Sequence, residues 1–127
     1  MQEIKKNDPM DTIGEEIEQA KKQAQIDTVE HFTLHLTKPF TWEGTDYSDM
    51  EFDFAGMTGA DFINIEAELQ SQGYGVIAPE FSTMFLMTMA MRCCKQPIGT
   101  DAIEKLPFPV FCRLRSKARS FLLNMGM

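Results

Sequence analysis

The 127-residue chain is poor in the residues that build metal, redox and nucleophilic centres, with two histidines, three cysteines and one tryptophan. His31 and His35 are four apart, a metal-pair spacing on a helix. The residues between them alternate apolar and polar as a strand does, which sets the two imidazoles about 13 Å apart at roughly 3.3 Å per residue. One ion cannot take both, and no other histidine or cysteine stands at a usual ligand spacing. Cys93-Cys94 is a vicinal pair and lacks the two-residue spacer of metal and redox motifs. It reads as buried structural thiols at a helix end. No G-x-S-x-G elbow, phosphate-binding G-x-x-x-x-G-K or H-E-x-x-H occurs. Gly73-Tyr74-Gly75-Val76-Ile77-Ala78 matches G-x-G-x-x-A in letters only, because a helical pattern precedes it and Pro79 follows; the dinucleotide fingerprint needs a strand before it. The reading is a non-enzymatic chain with no catalytic residue, cofactor or metal.

Long apolar runs are also missing. The longest, Phe81 to Cys94, has 14 residues and carries Arg92, whereas a membrane span needs about 20. Met1 to Thr12 is polar and has no apolar leader core. An odd number of cysteines without such a leader points to reduced thiols in a cytoplasm.

What the chain does have is concentrated in that run, FSTMFLMTMAMRCC. Ten of the 14 residues are apolar and four are methionine: Met84, Met87, Met89 and Met91. Thr88 and Arg92 share one narrow strip at 100° per residue, and no wide polar face remains. A helix apolar nearly all round must be buried on several sides. Two readings stand open. It is the central core helix, or a core helix that lends one face to a partner, for which flexible methionine is suited. On the second reading the partner-binding residues are Phe81, Met84, Phe85, Met87 and Met91, with Phe111, Leu114 and Phe121 of the last helix as a second seam.

The net charge of −7 is unevenly placed. Residues 1–80 hold 17 acids and 5 bases, a balance of −12, and residues 81–127 hold 2 acids and 7 bases, a balance of +5. Acidic and basic halves could meet between copies in a homo-oligomer. A basic helix can also be a nucleic-acid footprint. Here Arg113 and Lys117 border one edge of the stripe Phe111, Leu114, Ala118, Phe121 and Leu122, while Arg115 and Arg119 border the other. That split, on an acidic chain, argues against nucleic acid as a partner.

Periodicity orders the chain as α+β. Residues 1–29 form an acidic extension, with a narrow helical stripe of Ile13, Ile17, Ala20 and Ala24 and disorder before Asp11. Residues 30–127 form one domain. Phe32, Leu34 and Leu36 alternate with polar residues, Lys38-Pro39 interrupts, and Glu43-Gly44-Thr45-Asp46 turns the chain. Met50, Phe52 and Phe54 alternate again, giving a small antiparallel meander over about 31–54 packed on a C-terminal bundle of three to four helices. Thr58 and Asp61 form a capping box, with Met57 and Phe62 as a hydrophobic staple, for a helix that stops at Gly73. Thr100 caps a short turn through Ile103 and Leu106, and Pro107 and Pro109 open a final helix to Asn124.

The run Leu34-x-Leu36-x-Lys38-Pro39-Phe40-x-Trp42-x-Gly44, then Tyr47-x-x-Met50-x-Phe52-x-Phe54 and the Met57-Thr58-Gly59-Ala60-Asp61 step, resembles the small tail assembly chaperones of tailed bacteriophages and prophages. Glu80-Phe81-Ser82, the apolar helix with Ala90, Leu106-Pro107 and the closing Phe121-Leu122 extend the resemblance over about residues 31–124. What it implies is a non-enzymatic role in the host cytoplasm. Such proteins bind the long, largely helical tape-measure protein in several copies and keep it soluble while tail-tube subunits polymerise around it. They are absent from the finished virion. Many members are also made in a longer frameshifted form, a route to the tail-tube protein. Two other classes compete: a structural tail or head–tail joining subunit retained in the particle, and a small nucleic-acid-binding regulator.

Overall fold

The computed structural model describes residues 27–125. The helical stripe expected at 13–24 and the disorder expected before Asp11 lie outside them. The described chain is an α+β fold: a hairpin of β1 (His31–Trp42) and β2 (Thr45–Asp53), followed by α1 (Gly59–Ser71), α2 (Thr83–Arg92) and α3 (Phe108–Asn124). Two short 3₁₀ turns, Pro79–Phe81 and Thr100–Lys105, precede α2 and α3. No helix among the described residues is long and apolar enough to cross a membrane.

The expected meander is a single two-stranded hairpin. Lys38-Pro39 interrupts the ladder, as the sequence suggests, while β1 continues past it to Trp42. His35 faces Asp49 and Phe40 faces Tyr47, so Leu36 to Pro39 stand opposite Ser48 alone, in a bulge. A bulge absorbs a proline because its residues leave the ladder, where the missing N–H would otherwise be needed. The turn is the two-residue loop Glu43-Gly44, with φ of 49° and 81°. Two central residues at positive φ match the right-handed twist of the flanking strands.

One face of the hairpin is apolar. Phe32, Leu34, Leu36, Phe40, Met50 and Phe52 are all buried, and Phe32 stacks on Phe52 at 5.3 Å. The outer edge of β2 is partly closed by the chain leaving α2. Asp53 donates to the Cys93 carbonyl, and Lys95 donates to that of Glu51. The side-chain oxygen of Gln96 accepts from the Glu51 N–H at 2.8 Å.

α1 begins as its sequence predicts. The Thr58 backbone N–H donates to Asp61 Oδ2 at 2.7 Å. It ends in a Schellman arrangement: Gly73, at φ 91°, donates to Gln70, and Tyr74 donates to Leu69 at 2.8 Å. This is why Gly73-Tyr74-Gly75 is a helix stop and not a phosphate cradle.

α2 is the centre of the molecule. Ser82 caps it, its hydroxyl oxygen accepting from the Phe85 N–H at 3.2 Å. The helix packs against α1, α3 and both 3₁₀ turns. Phe85 to Met91 are buried without a break. Thr88, on the one polar strip, is 2% exposed. Arg92, on the same strip, reaches water and pairs with Glu68 at 2.9 Å. The second 3₁₀ turn is preceded by Gly99 as its cap, with Thr100 already inside it. α3 opens after Pro107, with Pro109 in its first turn where a missing N–H costs nothing.

Candidate partner-binding cleft

Of the eight residues expected to bind a partner, Phe85, Met87, Met91 and Leu114 lie in the core with 2% exposure or less. This corrects the reading in which α2 lends a face. The hairpin, α1 and α3 supply enough apolar surface to enclose it, and a partner could reach these side chains only by opening the fold. Met84, Phe111 and Phe121 are half-buried against the same core. Phe81 falls outside α2, in the 3₁₀ turn, and is 69% exposed. Its ring lies 5.7 Å from the Arg119 guanidinium, whose Nε donates to the Glu80 carbonyl at 3.1 Å.

The flanks of α3 separate as its wheel predicts. Arg115 and Arg119 turn toward the chain that enters α2, with Arg115 donating to the Thr83 hydroxyl at 3.4 Å. Arg113 and Lys117 turn toward β1, where the Lys117 ammonium sits 5.4 Å from the centre of the Phe32 ring.

Phe121 borders an open apolar space. It lines a cleft of about 350 Å³ between the start of α1 and the end of α3, with Met57, Phe62, Met89, Leu122 and Met125. Both aromatic rings are held from behind. Phe121 packs on Phe54 at 4.8 Å and Phe62 on Phe85 at 4.8 Å. Met89 of α2 is buried in the floor, while Met125, just past α3, is 50% exposed at the rim. The space is at the small end of the usual range for ligand pockets, about 300–1,000 Å³. Among the described residues its lining carries no charged side chain. It suits apolar side chains projecting from a partner, and the mobile methionines at its rim can adjust to their shape.

Sequence reasoning placed Met57 and Phe62 together as a staple and Leu122 on the α3 stripe, but did not join them. The missing information was that α1 and α3 both pack on α2, which brings positions more than 50 residues apart to one opening.

The remaining candidates for chemistry are accounted for locally. His31 pairs with Glu51, and His35 Nδ1 is 2.6 Å from Asp49 Oδ1, both across the hairpin's polar face. Among the described residues no group of three or more His, Cys, Asp or Glu could hold a metal ion. The three thiols are unpaired and half-buried. Burial, reinforced by Asp61 and Asp53, pushes the Cys93 thiol up to about 11, and burial raises Cys94 as well. A nucleophilic cysteine needs the opposite shift. Set against family models, curated proteins and solved structures, the chain matches none.

Proposed function

We propose that this chain is a non-enzymatic tail assembly chaperone, working in the host cytoplasm and absent from the mature virion. Its client is the tape-measure protein, which it holds soluble by taking apolar side chains of the client into the Met57–Phe121 cleft. Copies bound in series shelter successive client segments, and a frameshifted longer form would extend the contact to the tail-tube protein. The reading rests on the resemblance over residues 31–124. The observation that carries it is a methionine-rimmed cleft whose described lining is uncharged, on a domain whose hairpin face and central helix are buried in one core. A long helical client presents apolar residues at three- and four-residue intervals, which is the pattern a helix lays into such a groove.

The test is co-expression with the long helical tape-measure protein. The expected result is a client soluble only in the presence of this chain, the two co-eluting. A client that stays insoluble, or is soluble alone, overturns the proposal. Recovery of this chain from purified particles would place it among the structural tail or head–tail joining subunits.

A further inference from the structure

Among the described residues, the outer edge of β1 is open over a short, defined length. Glu51 and Asp53 of β2 turn their backbone groups away from β1, toward Cys93, Lys95 and Gln96. In an antiparallel pair, directly opposed residues that do not exchange bonds both point outward. Thr33 faces Glu51, His31 faces Asp53 and His35 faces Asp49, so the backbone groups of His31, Thr33 and His35 point out from the other side of the hairpin. Thr28 closes the first of these, since its Oγ1 accepts from the His31 N–H at 2.9 Å and its N–H donates to the His31 carbonyl at 2.7 Å. The bulge at Leu36–Pro39 ends the regular edge on the far side. Between these limits the N–H and C=O of Thr33 and His35 have no partner among the described residues.

This edge borders a groove of about 620 Å³ between β1 and α3, lined on the helix side by Cys112, Arg113, Ser116 and Lys117. Arg113 also lines the adjoining depression of about 420 Å³ beside Lys38, Pro39 and Pro107, so the trough continues along β1. Both Arg113 and Lys117 are exposed, and neither has an acidic partner among the described residues. The two cations belong to the basic part of the chain, residues 81–127 with a balance of +5, and stand beside the strand edge.

We propose that the β1 edge at Thr33–His35 takes up a short, acidic, extended segment of a partner protein as an added strand. The backbone groups select an extended chain, because only a strand places its own N–H and C=O opposite those of Thr33 and His35. Side chains of an added strand alternate between faces. Those facing α3 meet Arg113 and Lys117, whereas those on the polar face lie beside His35, already paired with Asp49. The favoured segment therefore carries an acid at every second position. This surface lies apart from the Met57–Phe121 cleft and does not depend on the client proposed for that cleft.

The test uses the full chain and a fluorescein-labelled peptide alternating Glu and Thr. Binding is expected, with amide resonances of Thr33 and His35 shifted and Cys112 protected from maleimide. Peptide N-methylated at alternate residues should bind at least about tenfold more weakly on one of its two faces, because strand addition needs those N–H groups. R113E/K117E should lose about tenfold or more, since like charge now faces the peptide acids. Failure of the Glu/Thr peptide to bind, equal binding of a Lys/Thr peptide, equal binding of peptides N-methylated in either register, or unmoved Thr33 and His35 amides overturns the proposal. A change in the mass of the free protein on charge reversal, without peptide binding, assigns the edge to a second copy and overturns it too.

Discussion

Replacing Phe85 by alanine is expected to lower the stability of the domain by about 3–5 kcal/mol, the range for a fully buried phenylalanine. Single domains are stable by only about 5–15 kcal/mol, so this one change removes a large fraction of the total. Phe85 has no exposed surface and sits on the side of α2 that meets α1, with the Phe62 ring 4.8 Å away. Deleting the ring leaves a cavity walled by α2's own backbone and by helices fixed elsewhere, so the site cannot collapse fully. Phe85→Leu fills part of that space and should restore much of the loss. Urea unfolding measures both. A loss under about 1 kcal/mol for the alanine variant would mean that α2 is not enclosed as described.

The second large effect separates the cleft from the residue that the sequence favours. Met57→Asp combined with Met125→Asp is expected to reduce client binding by about tenfold or more, because carboxylates at the rim must lose water when an apolar side chain enters. Both positions reach solvent, so the variant should keep the unfolding free energy of the parent within about 1 kcal/mol. Phe81→Asp should leave client binding within about twofold, near the usual small effect of surface changes. Although Phe81 is the most exposed of the residues first expected to bind a partner, it is not part of the cleft, and its ring lies against Arg119. Pull-down of the client with each variant, beside unfolding curves, checks the pair. Loss of binding in Phe81→Asp with retention in the double variant would move the site to the start of α2.

Local signals carried the architecture well, because each is complete within a few residues. Thr58 and Asp61 set the start of α1 by a hydrogen bond three residues long, and Gly73 sets its end by adopting a left-handed backbone. The even-numbered apolar positions of β1 and β2 do face the core. Lys38-Pro39 marks the interruption but not its form, because a bulge opposite Ser48 cannot be seen from one strand alone. The functional site was less legible for a similar reason. Methionine content marks a side chain that can adapt, but not whether it meets the protein's own core or a partner. In α2 it meets the core. Among the described residues, Met57 and Met125 are methionines that reach the surface, far apart in sequence and brought to one cleft at the start of α1 and the end of α3. The open edge of β1 was out of reach as well, since it follows from where Thr28 and the chain after α2 form their bonds.

The distinction between core methionines and surface methionines can be measured in one experiment, hydroxyl-radical footprinting of the chain alone and in complex with the tape-measure protein. Met57 and Met125 should oxidise in the free chain and become protected in the complex, while Met87, Met89 and Met91 stay unreactive in both. Oxidation of Met87 and Met91 in the free chain with protection on binding, or Met57 and Met125 equally reactive in both states, would contradict the account.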